Sequence, residues 1–269
     1  MTMTGEPATG QITSEAAQVY EAFFAPALFE QWPRRVGEAA RIEAGDQILD
    51  VACGTGVLAR SLASCVGADG SVTGLDLNDG MLEVARRKAP QIAWRQGRAE
   101  QLPFENERFD VVVSQFGLMF FADRRAALQE MMRVLRPGGR LAVAVWDALG
   151  NSPGYAAVTR LLQRLFGNRV ADALRAPFAL GDARLLRTLF IEAGIADFEI
   201  TTHAGSARFP SIQSWIYTDI KGWTLADLLD DAQFSLLLSE AEHALQMYAA
   251  DDGTVAFDAP AHIVSAVKP

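Results

Sequence analysis

Cysteine is scarce in this sequence: there are two, Cys53 and Cys65, and they do not form a C-x-x-C pair. That excludes a disulfide-stapled scaffold and a zinc knuckle, and it suits a reducing cytoplasm. No apolar run approaches the roughly 20 residues that a membrane-crossing helix needs; Val111–Val113 and Leu141–Trp146 are strand-length, so no span is expected. The start, "MTMTGEPATGQITSE", lacks a basic segment followed by an apolar one and reads as a polar leader, not a secretion signal. Net positive charge is also missing. At a formal −9 the chain is a poor partner for a phosphate backbone, and its basic runs "ARRKAP" (85–90) and "DRRAA" (123–127) sit at helical spacing among acidic residues, as on solvated helix faces. Internal repeats and low-complexity linkers are absent.

What is present is apolar residue, about half of 269, enough for one elaborated α/β domain. Between residues 15 and 41, Val19, Phe23, Phe24, Leu28, Phe29, Trp32 and Val36 recur at mostly helical intervals, with interruptions near Pro26 and Pro33. After Gly45 the pattern becomes strand, turn, helix, repeated. Strands are expected at 47–52, 71–76, 92–96, 109–114 and 139–146, with helices at about 56–66, 79–89 and 124–136. Short apolar runs alternating with helical ones call for a doubly wound, mostly parallel sheet. Beyond Trp146, helices are expected at 153–167, 182–193, 211–220 and 230–249, and strands at 197–207 and 260–267. In the last helix Phe234, Leu237, Leu238, Ala241, Leu245 and Tyr248 form one stripe, which core burial explains.

The segment "ILDVACGTG" (48–56) carries the chemistry. Gly54 and Gly56 satisfy G-x-G-x-x-[GA], and Asp76 follows about twenty residues later at a strand end, so the pattern by itself also fits a dinucleotide fingerprint. Glycine lets backbone approach a ligand, and a strand-end carboxylate can accept from two ribose hydroxyls. The remaining ligand charge separates the candidates. A pyrophosphate wants an uncluttered helix N-terminus, whereas a sulfonium and an ammonium want acceptors such as Asp50.

The motifs "ILDVACGTG", "GLDLNDGMLEVAR" (74–86), "GRAEQLPF" (97–104), "FDVVVSQFGLMFF" (109–121) and "MMRVLRPGGRLAVAVW" (131–146) together resemble the class I S-adenosylmethionine-dependent methyltransferases. Within them the sequence is most similar to the branch of ubiquinone/menaquinone-biosynthesis and small-molecule methyltransferases. The resemblance covers about residues 45–147 and implies an α/β, Rossmann-like methyltransferase fold: a seven-stranded, mostly parallel sheet with added helices as a cap. Residues 1–14 would be a disordered leader and 15–269 one domain. Residues 45–147 would form the cofactor core, and 15–44, 147–195 and 209–253 the cap. It also implies S-adenosyl-L-methionine as cofactor, no metal and a small-molecule methyl acceptor. By that similarity Asp50, Ala52, Gly54 and Gly56 line the methionine part and Asp76 binds the ribose diol. Leu77 and Met81 pack on sugar and adenine, and Ala99 offers its N–H to the ring. Ser114, Gln115 and Phe116 face the sulfonium and the acceptor. Arg98 departs from the pattern, since the family usually has an acidic residue there and arginine cannot accept from the adenine amino group. Glu100 or a backbone carbonyl would then substitute, or apolar contacts would hold the ring.

Methyl transfer from a sulfonium can be driven largely by positioning and desolvation, so a base is needed only where the acceptor starts protonated. His203 and Tyr20 are candidates for a catalytic or hydrogen-bonding role, while His243 and His262 read as surface and structural. Tyr20, Phe24, Trp146, Trp215 and Trp223 are candidates for an apolar or aromatic acceptor pocket, and Phe120 and Phe121 read as core. Two other readings stay open at this point: a nicotinamide-dependent oxidoreductase, and a non-catalytic binding protein that retains the fold.

Overall fold

Short, strongly apolar strands dictate a sheet buried on both faces, and helices cover it. The computed structural model describes residues 14–221 and 228–269; the polar leader lies outside the described residues except for Ser14. The chain enters through α1 (Ser14–Val19), a wide π-helical segment (Tyr20–Phe29) and α2 (Pro33–Ala39). It then runs β1 (Gln47–Val51), α3 (Val57–Val66), β2 (Ser71–Asp76), α4 (Asp79–Lys88), β3 (Ala93–Gln96), β4 (Phe109–Gln115), α5 (Arg124–Val134) and β5 (Leu135–Trp146). Helices α6 (Pro153–Phe166), α7 (Asn168–Arg175) and α8 (Ala183–Glu192) lead to β6 (Phe198–His203) and β7 (Ser206–Phe209). Helices α9 (Ile212–Lys221) and α10 (Asp231–Ala244) precede β8 (Val255–Asp258) and β9 (Ala261–Val267).

The main sheet has the order β3-β2-β1-β4-β5-β9-β6. β1 through β5 are parallel, and β9 inserts antiparallel between β5 and β6. From β1 the chain winds outward through β2 and β3, then returns to β4 and winds the other way. Right-handed crossovers therefore put α3 and α4 on one face and α5 on the other. The reversal leaves a crevice at the C-terminal ends of β1 and β4, where ligands of open α/β sheets bind. Among the described residues no helix is long and apolar enough to cross a membrane.

Four expectations change. The strand expected at 197–207 is two strands in different sheets, because β7 leaves β6 to pair with β8. Gly205 makes the step: a Cβ there would sit 2.3 Å from the Trp32 ring, so only glycine lets the chain pass. β5 starts at Leu135, ahead of the expected 139, and "RPGG" (136–139) lies inside it as a looped-out register shift against β4. The entry helix tolerates Pro26 because the turn widens there, with Glu30 N–H donating to the Ala25 carbonyl five residues back (2.9 Å). α7 and β8 are additional elements, each too short for its pattern to stand out. The stripe on α10 does its expected work, with Leu237, Ala241 and Leu245 fully buried.

Candidate functional site

At the strand reversal lies a cavity of about 280 Å³. Its floor is made by turns that leave β1 and β4 in left-handed conformations: Ala52 (φ 59°), Gly54 (φ 55°) and Phe116 (φ 58°) all line it. Non-glycine residues rarely adopt such angles, and they persist where the surroundings over-determine them. Here the two turns interlock, since a Cβ on Gly117 would come within 2.5 Å of the Ala52 Cβ.

Three of the loop's donors are taken by the protein. Cys53 N–H donates to the Leu75 carbonyl (3.0 Å), Gly54 N–H to Asp76 Oδ2 (2.8 Å) and Gly56 N–H to the Cys53 carbonyl (2.8 Å). At the start of α3, Asp50 Oδ2 accepts from Ala59 N–H (3.1 Å). Two buried carboxylates thus stand beside the loop, an arrangement that repels a pyrophosphate and suits positive charge. Asp50 is 1% exposed, and its Oδ1 has no hydrogen-bond partner among the described residues. Burial, with the Asp76 charge adding to it, holds the Asp50 carboxyl well above the usual carboxylate range despite the Ala59 hydrogen bond. Asp76 is also raised by burial, against bonds from Asn78 and Gly54. Its Oδ1 accepts from Asn78 N–H (2.8 Å), and the Leu77 N–H also favours the charged form.

The upper wall comes from β2, α4 and the turn after β3: Leu77, Met81, Arg98, Ala99 and Glu100 line it. Glu100 Oε1 holds Ala122 N–H (2.9 Å), and its Oε2 lies 3.5 Å from Arg98 Nε. Tyr20, Phe29, Gln115, Phe120 and Phe121 close the remaining side. Tyr20 stacks on Phe29 (centroids 5.1 Å apart). Burial first, then the charges of Glu21, Asp76 and Asp50, push the Tyr20 phenol far above its ordinary range, so it stays protonated.

Several expected residues stand elsewhere. Gly56 does not line the cavity; it caps α3 at φ 85°, and a Cβ on it would strike the Trp94 ring at 2.4 Å. Ser114 is fully buried behind the floor, because alternate residues of β4 face opposite sides and Gln115 takes the cavity side. His203 ends β6 at the far edge of the sheet, paired with Thr201 Oγ1 (2.9 Å). Burial and the Arg35 guanidinium lower its pKa. Trp215 is wholly buried and donates from Nε1 to Asp219 Oδ2 (2.9 Å), so it is core. Phe24 and Trp146 line a second, smaller cavity, and Trp223 lies outside the described residues. Phe120 and Phe121 are half-buried on the cavity wall, not core. Cys53, Asn78 and Phe29 also line the cavity. Cys53 and Asn78 fall within the motif segments, whereas nothing in the local sequence marks Phe29. His262 is structural as expected, buried between Thr202 Oγ1 (2.9 Å) and the Gly181 carbonyl (3.0 Å), and His243 is exposed.

A doubly wound sheet with an antiparallel strand inserted before its edge, and a crevice offering two buried carboxylates, define a class I S-adenosylmethionine-dependent methyltransferase. Residues 48–139 match the methyltransferase domain family. The ubiquinone/menaquinone biosynthesis C-methyltransferase of Ectopseudomonas mendocina is 42% identical over 130 residues, 46% of this chain and about half (51%) of that protein. The demethylmenaquinone methyltransferase of Listeria monocytogenes is 31% identical over 227 residues, 77% of this chain and 95% of that one. In fold the chain is similar to Haemonchus contortus phosphoethanolamine N-methyltransferase 2 (TM-score 0.61, 20% identity, 96% of this chain and 58% of that one). The chain belongs to the methyltransferase family of the ubiquinone/menaquinone-biosynthesis type, and its cofactor is S-adenosylmethionine. All three of these similar proteins are methyltransferases; none is a nicotinamide-dependent oxidoreductase or a non-catalytic binding protein.

Proposed function

We propose that this chain methylates a ring carbon of a small, flat, quinol-type acceptor. The observation that carries the transfer is the pair of carboxylates, Asp50 and Asp76, buried at a crevice where they accept from the Ala59 and Gly54 N–H groups. The acceptor class is supported by the aromatic wall of Phe29, Phe116, Phe120 and Phe121 and by the quinone-biosynthesis relatives. S-adenosylmethionine, when bound, supplies an electrophilic methyl on a sulfonium. In this reading Asp50 Oδ1 holds the ammonium, and the free acceptor sites of Asp76 hold the ribose diol. Leu77 and Met81 cover sugar and adenine, with the Ala99 backbone at the ring edge. Gln115 and Phe116 face the reacting methyl.

Positive charge disperses during the displacement, so a dry aromatic wall that excludes water and fixes the approach supplies the main assistance. Tyr20 covers the site as a neutral phenol and takes no proton. An electron-rich quinol carbon needs no side-chain base before it attacks, and the ring proton it carries leaves to solvent after the carbon–carbon bond has formed, which suits a cavity with no histidine in its lining. The reading also sets the reaction in a reducing cytoplasm, in keeping with the free thiols of Cys53 and Cys65.

The test is incubation of the purified chain with methyl-labelled S-adenosylmethionine and a short-chain 2-prenyl-1,4-naphthohydroquinone. The expected result is label on the unsubstituted quinol-ring carbon, with stoichiometric S-adenosylhomocysteine. Cofactor binding without transfer to this quinol, alongside transfer to a simple amine or phenol oxygen, would replace the acceptor class.

A further inference from the structure

The π-helical segment Tyr20–Phe29 walls one side of the crevice through Tyr20 and Phe29, and its two ends are fastened by different chemistry. Just past the C-terminal end the fastening is uncharged: Trp32 is fully buried, and the Gln31 amide donates to the Ser206 carbonyl (2.6 Å) while accepting from its N–H (3.0 Å). At the N-terminal end it is ionic. The Glu21 side chain, beside Tyr20, is 8% exposed, and its Oε1 meets Arg60 Nη2 of α3 (2.9 Å) and Lys88 Nζ of α4 (2.6 Å). Arg60 Nη1 also donates to the Thr55 carbonyl (2.5 Å). One guanidinium thus joins the segment to the loop between Gly54 and Gly56.

Such a joint holds without being permanent. A buried ion pair gains little beyond the desolvation it requires, and Glu21 Oε2 is buried with no partner among the described residues, so the carboxylate depends on both cations. The Arg60 side chain is partly exposed and that of Lys88 half-exposed, so water reaches the joint from outside. Packing under the segment is also incomplete. Phe24 and Leu28 border the second cavity, of about 30 Å³. Two polar atoms of its lining residues, Asp219 Oδ1 from α9 and the Tyr155 hydroxyl from α6, are buried with no partner among the described residues. A void and unpaired polar atoms both take stability from the closed arrangement. Pro26, which has no N–H to donate, lies midway along the segment.

We propose that Glu21, Arg60 and Lys88 form an ionic catch that holds the Tyr20–Phe29 segment against the crevice and sets how fast the cofactor enters and leaves. This rests on the reading above that seats the cofactor's methionine part beneath Tyr20. Glu21 and Arg60 are positioning residues, acting on the cofactor through Tyr20 and through the loop. None of the three catch residues lines the crevice, so their mutual bonds are the same with and without a ligand. An interaction that does not distinguish two states cannot shift the equilibrium between them. The catch therefore slows binding and release by the same factor and leaves affinity almost untouched, a signature that a wall residue or a general loss of structure does not share.

The test uses the full chain and S-adenosylhomocysteine, with association and release timed by stopped-flow fluorescence and Kd taken from calorimetry. Glu21→Gln and Arg60→Met should each speed association and release together by at least about tenfold and change Kd by less than about threefold. Lys88→Met, which removes the more exposed cation, should show the same pattern at about threefold or more, and it decides if the other two fail to fold. Amide hydrogen exchange over residues 20–29 should quicken in the same variants while exchange over β1 and β4 stays at the wild-type level. Rates within about twofold of wild type in every folded variant, or a weaker Kd with association unchanged, overturn the catch. Wild-type exchange over residues 20–29 that S-adenosylhomocysteine leaves unaltered would instead overturn the seating of the cofactor beneath Tyr20. Protection there, with unaltered rates in the variants, overturns the catch alone.

Discussion

Replacing Asp76 with alanine tests the cofactor geometry at its most specific point. The carboxylate has about four acceptor sites. Two are used within the protein, by Gly54 N–H and Asn78 N–H, each at 2.8 Å. The Leu77 N–H also acts on the carboxylate, and the capacity left over is directed at the two adjacent hydroxyls of a ribose. Hydrogen bonds to a charged group contribute about 1.5–3 kcal/mol each, so two would give a gross loss of about 3–6 kcal/mol. Water entering the space left by the carboxylate recovers part of that for the ligand and for both N–H groups, and the expected net loss is about 1.5–3 kcal/mol, or roughly 10- to 150-fold in Kd. Calorimetric titration of Asp76→Ala should show this loss equally for S-adenosylmethionine and S-adenosylhomocysteine, because both carry the ribose and only one carries the sulfonium. Adenosine should lose affinity too, while 2′,3′-dideoxyadenosine, lacking both hydroxyls, should bind wild type and variant alike. A folded variant with unchanged Kd, or a loss confined to S-adenosylmethionine, would refute the assignment of the ribose to Asp76.

Two further outcomes are expected from the same cavity. Asp50 and Asp76 are held above the ordinary carboxylate range; a cationic ligand favours their ionised forms, so binding should release protons and affinity should climb with pH until both are ionised. Titration from about pH 5 to about pH 8 in buffers of different ionisation enthalpy measures this, and affinity that falls across the range contradicts it. Arg98 stands where an acceptor for the adenine amino group would be useful, and Glu100 is already engaged with Ala122 N–H and Arg98. Arg98→Asp should leave cofactor affinity unchanged or tighten it by up to about 1 kcal/mol, the worth of one hydrogen bond; clear weakening would give Arg98 a role of its own.

The alternation of short apolar runs with helical ones was enough to place β1 to β5 and the helices between them, because those elements depend on local pattern and on turns beside them. The glycine loop, Asp50 and Asp76 were legible for the same reason: the crevice they line opens where a strand becomes a helix, and that junction is written in consecutive residues. Orientation was not. Gly56 faces Trp94 and not the crevice, and Ser114 turns behind the floor while Gln115 turns inward, differences set by what packs on each side of the strand.

Longer-range features were decided only by tertiary contact. The break between β6 and β7 exists because Trp32, far away in sequence, occupies the space beside Gly205. The tryptophans looked interchangeable as pocket candidates, yet Trp215 is sealed in the core against Asp219 and Trp146 forms the partition with Phe116. Asp219 and Tyr155 carry no motif at all; helices α6 and α9 bring them together from 64 positions apart. By itself, then, the sequence determined the cofactor, through motifs local to the strand-end turns. The walls around the crevice and the second cavity came from the packing of elements distant in sequence, which no short stretch of residues encodes.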